Sequence, residues 1–277
     1  MNKDGTANMF YVGETPWHGL GTKLVQAPTA AEAIKAAGLD WKVALKDAFV
    51  DGADGKKEML EDAKLCYRVQ DNKQLGTVGH TWKPLQNTEA FSFFDKFLES
   101  GEATLETAGS LDGGRKIWIL AKLTREPMVI KGNDIVEKYA LLCNSHDGTL
   151  AARGGFTPIR TVCQNTLQAA LESKASKLIR VKHTANIVTN LEKVRDIMNM
   201  ANAEFETTAE NYRLLANTQI NQADLTKYVK TVFNTNKEAL SVDEMTGGRV
   251  AEKIVPLFEK GRGNDMPEIA GTYWAAY

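Results

Sequence analysis

Apolar residues recur along this chain at two spacings, and each spacing marks a kind of element. Alternation of apolar and polar positions, the mark of a strand, runs through residues 41–50, 65–70, 75–78, 103–111, 115–123 and 135–144. Turn residues separate these runs. Asp54-Gly55 lies between the first two, and Asp71-Asn72-Lys73 joins 65–70 to 75–78 as a hairpin. Asp112-Gly113-Gly114 joins 103–111 to 115–123, since glycine supplies the positive φ that a tight turn needs. His146-Asp147-Gly148-Thr149 predicts a further turn, with a short return strand possible over 150–156. The run 115–123 is apolar on both sides, with Ile117, Ile119, Ala121 and Leu123 on one and Trp118 and Leu120 on the other. A strand of that kind is central in its sheet or meets another subunit.

The second spacing is helical. Thr29 caps a short helix that ends at Gly38. Asn87 caps a helix over 88–100 whose apolar face is Ala90, Phe91, Phe94, Phe97 and Leu98, with Gly101 as its stop. Residues 158–173 place Ile159, Val162, Cys163, Thr166, Ala169 and Ala170 on one face. From Thr184 onward, Ile187, Leu191, Val194, Met198, Ala201, Phe205 and Tyr212 follow a heptad-like spacing, which predicts one long helix. That seam fits packing on its own domain and packing between subunits equally well. Further helices are expected over 222–233, capped by Asn221, and from Gly247-Gly248 to Lys260. The first 26 residues, with Pro16, Gly13, Gly19 and Gly21, read as a loop pinned by Trp17, in which His18 makes a structural hydrogen bond. The expected fold is α+β: an antiparallel sheet in a helix-β-β-β-helix core, followed by a helical C-terminal region. The expected divisions are 1–86 packing on the core, 87–183 the core itself, and 184–277 the helical region.

Composition narrows the chemistry. The chain has 277 residues, 43% of them hydrophobic and 25% charged, with a net charge of −1. That is ordinary globular composition. Cys66, Cys143 and Cys163 have no metal-site spacing and sit in apolar runs, so buried reduced thiols in a cytoplasmic protein are expected. No apolar run is long enough to span a bilayer, and the N-terminus lacks a signal peptide's apolar core. Phosphate-loop, zinc-protease and cysteine-pair motifs are absent. His18, His80, His146 and His183 are scattered singly, and Asp112, Asp134 and Asp147 sit in turns. No catalytic group, metal or cofactor is expected, and the protein reads as a non-enzyme.

One charged feature remains. From Arg153 to His183 there are six basic residues and one acid, Glu172, a local charge of +5. Arg153, Arg160, Lys174, Lys177, Arg180 and Lys182, with Arg115 and Lys116 at the start of an adjacent strand, are the candidate phosphate contacts. Such a patch fits single-stranded DNA, with Trp118, Tyr139 and Phe156 as the nearby stacking residues. The bland reading of the same lysines is a solvated helix face.

The segments PWHGLGTKL from Pro16, LGTVGHTWKPLQNTEAF from Leu75, FTPIRTVCQNTL from Phe156 and GTYWAA from Gly271 together resemble the phage/plasmid-like protein family, a family of unknown function on mobile elements. The resemblance implies a mobile-element setting near recombination genes. It also implies that the chain continues past the GTYWAA segment in its relatives, so that this one is truncated. A second resemblance is topological only: helix-β-β-β-helix ending in a basic segment is similar to single-strand annealing proteins of the Red-beta type. It implies single-strand annealing by a homo-oligomer, a ring or filament. The alternative is a host-interaction or anti-defence protein that binds a partner protein through the long helix, at Leu191 and Met198.

Overall fold

A computed structural model describes residues 7–124, 127–200, 202–232, 254, 256–261, 264 and 266–277. They fall into two units, Met1–Glu126 with Glu137–Ala201, and Pro127–Val136 with Asn202–Tyr277. The division differs from the expected one. Residues 1–86 and 87–183 share a unit, and a short piece of the middle of the chain joins the C-terminal unit.

The first unit is built on a seven-stranded sheet. Its strands are β1 (Met9–Val12), β2 (Thr22–Leu24), β6 (Ala103–Leu111), β7 (Lys116–Leu123), β10 (Tyr139–Ser145), β11 (Ala152–Thr157) and β12 (Lys177–Val181). Their order across the sheet is β12-β11-β10-β7-β6-β1-β2. All neighbours are antiparallel except β1 and β2. The central strand β7 is apolar on both sides because both sides are covered. Trp118 and Leu120 join Tyr139, Leu141 and Cys143 of β10 against Val162, Leu167 and Ala170 from helix α4 (Gln164–Glu172) and the segment leading into it. On the other side Gly154 of β11 lies under Phe93 and under Val194 of helix α5 (Ile187–Met200).

A second sheet of the same unit has the order β3-β4-β5, with β3 (Val43–Asp51), β4 (Lys57–Arg68) and β5 (Gln74–Gly79) all antiparallel. Helix α1 (Ala30–Ala36) has the expected Thr29 cap, and Gly38 takes the left-handed conformation after it, φ 62°. The expected single helix over 88–100 is two short ones, α2 (Asn87–Ser92) and α3 (Asp95–Glu99). Gln86, not Asn87, closes the capping box with Glu89. The Asn87 amide is used elsewhere, donating to Leu39 O at 2.9 Å.

Three further departures have plain causes. The first 26 residues are not all loop, because β1 and β2 are built there and extend the sheet. Trp17 does not pin that loop, being 78% exposed. His18 does, accepting from Leu20 N–H at 3.1 Å and donating to Val162 O at 3.2 Å. The expected strand over 135–144 is split: β9 (Asp134–Val136) pairs with β8 (Met128–Lys131) in the second unit, and only β10 enters the large sheet. The return strand β11 is a full member of that sheet, so four strands of the large sheet, not three, come between α3 and α4 in the chain.

The expected long helix is described as two helical stretches on either side of residue 201, which lies outside the described residues. Helix α5 ends at Met200 and α6 (Asn202–Asn217) begins in the other unit. Ile187, Leu191, Val194 and Met198 are buried in the first unit. In the second unit Tyr212 packs its ring on Trp274 and Tyr277. Ala201 and the side chain of Phe205 lie outside the described residues. Asn221 accepts from Asp224 N–H at 2.9 Å and caps α7 (Gln222–Val232), as expected. Phe233 and Gly247-Gly248 also lie outside the described residues. The C-terminal GTYWAA segment forms α8 (Tyr273–Ala276), capped by Thr272, and Trp274 Nε1 donates to Asp134 of the β8–β9 hairpin.

The junction of β12 with β11 depends on a glycine. A Cβ on Gly155 would lie 1.9 Å from Lys177 O and 2.9 Å from Leu178 Cα, both backbone atoms, whereas one on Gly154 would meet only the ends of Phe93 and Val194 at 3.3 Å. Gly155→Ala is therefore expected to lower unfolding stability by about 2–3 kcal/mol, and Gly154→Ala by less. Urea denaturation of the two variants checks the order, and equal losses would contradict it.

Candidate functional site

Strand β12 is an edge of the large sheet, so among the described residues one of its sides has no strand partner. Its register with β11 sets Lys177 opposite Phe156 and Arg180 opposite Arg153. Side chains alternate along a strand. Leu178 and Arg180 therefore share the α4 side of the sheet with Arg153, while Lys177, Ile179 and Val181 point to the other side. Lys174, Lys177, Arg180 and Lys182 are all exposed, and none is ion-paired with a described residue.

The other candidates do not join them as a basic floor. Arg160 is tied down: its Nε donates to Glu106 Oε1 at 2.8 Å and its Nη2 to Val12 O at 2.9 Å. Arg153 is half-buried and donates from Nη1 to Leu171 O at 3.3 Å, a cation on the last turn of α4. Lys116 Nζ stands 3.6 Å from Asp112 Oδ2. Arg115 is exposed, but β7 lies three strands from β12, about 14 Å at the usual strand spacing. Trp118, Tyr139 and Phe156 are core residues, at most 5% exposed, so none offers a stacking face. Of the five tryptophans only Trp17 is exposed. The expected groove between the β6–β7 hairpin and a helix thus reduces to an exposed basic edge, with cations reaching round it from both sides.

Two features went unread in the sequence. The first is a buried polar pair. His146 is fully buried, its Nε2 donating to Asn87 Oδ1 at 3.0 Å and its backbone N–H to Arg115 O at 2.7 Å. Its ring meets Trp41 edge-on. Nearby His183 Nδ1 donates to Lys83 O at 2.9 Å and stacks on Trp82. Burial, then the neighbouring His183, press the His146 pKa down to about 3. The second is Cys163. The helix starts at Gln164, so Cys163 is its N-cap and not a member of its apolar face. Burial works against ionising this thiol, but donors from Thr166, Asn165 and Trp17 outweigh it and hold Cys163 below the ordinary thiol range. Burial pushes Cys66 and Cys143 up to about 12. Among the described residues no three His, Cys, Asp or Glu side chains are grouped to hold a metal, and no helix is long and apolar enough to cross a membrane.

These elements define an α+β protein of antiparallel-rich sheets with helices packed on the larger one. It belongs to the family described as a domain of unknown function, DUF932, whose model matches residues 74–277. No curated protein and no solved structure matches the chain.

Two measurements follow from the buried groups. An unfolded histidine titrates near 6.5 and folded His146 near 3. The unfolded chain therefore takes up a proton that the folded one refuses. The stability this gives is complete above pH 6.5 and falls as the pH drops towards 3, by about 1.4 kcal/mol per unit. Chemical denaturation between pH 7 and 4.5 is expected to show a shallower loss for His146→Gln than for the parent, and equal slopes would count against this origin. In the native protein, Ellman's reagent is expected to label Cys163 rapidly and to reach Cys66 and Cys143 only on unfolding. Labelling of Cys163→Ser at the parent rate would refute this.

Proposed function

We propose that this chain is a non-catalytic, cytoplasmic protein of a phage or plasmid that binds single-stranded DNA along the β12 edge and promotes strand annealing as an oligomer. The observation that carries the reading is the segment Lys174–Lys182. It holds four exposed cations and no acid, on and beside an edge strand, with no carboxylate partner among the described residues. A polyanion responds to such a local charge even though the whole chain is at −1. Annealing needs no bond broken. It needs charge neutralised along a strand and bases left open for pairing. Lys174, Lys177, Arg180 and Lys182 would hold phosphates, and Arg115 would contribute from the same end of the sheet as Lys182. Trp17 is the exposed aromatic available for stacking. Arg153, Arg160 and Lys116, engaged within the protein, drop out of the contact set.

A second reading, a host-interaction protein that binds another protein through its C-terminal helices, rests on a different observation. Leu191 and Met198 are buried and cannot be its contact. An apolar cavity of about 310 Å³ in the second unit, lined by Leu225, Tyr228, Val229, Ile254, Phe258 and Tyr277, supplies the surface instead.

Gel-shift titration with a labelled oligonucleotide separates the two. Binding is expected at low salt, with a slope of log affinity against log salt of about −3 for four phosphate contacts on a single strand. Lys177→Ala/Arg180→Ala/Lys182→Ala is expected to flatten that slope to about −1. Absence of any complex at low salt, or an unchanged slope in the triple variant, would overturn the DNA reading.

A further inference from the structure

The β3–β4 hairpin is long, and much of it is exposed. Strand β4 pairs with β5 only from Ala63 onward, and Asp62 O accepts the last cross-bond from His80 N–H. Before that, Lys57, Glu58 and Met59 pair, among the described residues, with β3 alone. The register slips between Asp47 and Phe49, and all six residues from Lys57 to Asp62 are exposed. The result is a two-stranded ribbon carrying Phe49, Val50, Met59 and Leu60, between 38% and 56% exposed. A bare ribbon of two strands is marginal in water, and an apolar free edge is a template for another strand. The free end of this hairpin is exposed while its base, at Val43 and Cys66, is buried, so the exposed apolar residues call for a partner.

The geometry points to a second copy of this chain as that partner, the two β4 edges pairing antiparallel about a twofold axis at Met59. The sequence Lys57-Glu58-Met59-Leu60-Glu61-Asp62 selects that register. With the axis at Met59, Lys57 faces Glu61 of the second copy twice over, and Met59 faces itself. Phe49 and Met59 are cross-strand neighbours, so the pairing forms one apolar row, Phe49–Met59 followed by the same two residues in reverse. With the axis between Met59 and Leu60, Glu58 would face Glu61, and although Lys57 would face Asp62, the facing residues would lie on opposite sides of the sheet. With the axis at Leu60, Glu58 would face Asp62. Both alternatives set like charges opposite each other, which is unfavourable.

Among the described residues neither Lys57 nor Glu61 has an ion-pair partner within the chain. The closing bond of the hairpin, Gly52 N–H to Lys56 O at 2.7 Å, sets the ladder so that the backbone groups of Lys57 and Met59 face outward. Nucleic acid is a poor occupant. Between Lys46 and Lys64 there are six acids and four lysines, so the ribbon repels a polyanion. This contact is independent of the β12 edge, and being twofold it closes at two copies.

Sedimentation velocity on the full chain, without oligonucleotide, tests it. The parent is expected to sediment as a dimer that dissociates on dilution. Lys57→Glu and Glu61→Lys each set like charges opposite each other at two symmetric places. Each is expected to weaken the dimer about tenfold. The double variant Lys57→Glu/Glu61→Lys restores opposite signs and is expected to recover the parent affinity. Both positions involved are exposed, and circular dichroism verifies that the variants fold. A parent that stays monomeric overturns the proposal. So do single variants that dimerise as the parent does, or a double variant as weak as the singles. A ladder of species beyond the dimer would mean a head-to-tail contact and would overturn the twofold register.

Discussion

Covering β7 and β10 on both sides is the constraint from which the first unit follows. These two strands carry no polar face, and all seven residues of β10 are buried. Their hydrogen bonds are met by neighbouring strands, but their side chains can leave water only if something packs above and below. On one side α4 and its lead-in segment do this, and on the other Phe93 and Val194 of α5 lie over the adjoining strand β11. Because α4 lies between β11 and β12 in the chain, covering the first side obliges the chain to return along the sheet's margin. The basic strand β12 is that return. Its position at the edge is thus a by-product of closing the core, and its charges sit there because that margin faces water.

The same constraint explains how much could be read from residues alone. The strands over residues 103–111 and 115–123 were legible because burial imposes apolar positions, on alternate residues in the first and on both sides in the second. So were helix ends with a definite chemical stop, such as Thr29 and Gly38. The first half of β4 was not legible, because Glu58, Glu61, Asp62 and Lys64 leave no apolar period where neither face is buried. The split of residues 135–144 was hidden because β9 and β10 are both apolar runs, and nothing local says that they serve different cores. The heptad seam hid a division for a related reason: Leu191 and Tyr212 keep the same phase yet pack in different units.

The candidate site was legible as charge and illegible as geometry. A count of basic residues finds Lys174 to Lys182 but cannot tell that Arg160 is spoken for by Glu106, more than fifty positions away. Nor does it show that Trp118, Tyr139 and Phe156, adjacent to that charge in sequence, are interior. Cys163 illustrates the sensitivity to a boundary. With the helix begun at residue 158 its thiol is one more packed side chain, whereas with the helix begun at Gln164 it stands at the mouth of a row of backbone donors.

The hairpin of β8 and β9 belongs with α6 and α8, although the chain makes it between two strands of the other unit. Neither unit is therefore one continuous stretch of polypeptide. During synthesis this hairpin leaves the ribosome well before the helices it packs against, and it must wait for them. A fragment cut between α5 and α6 would carry an orphan hairpin in one half and a helical remainder lacking its cover in the other. The two units thus share one fate in any dissection of the gene.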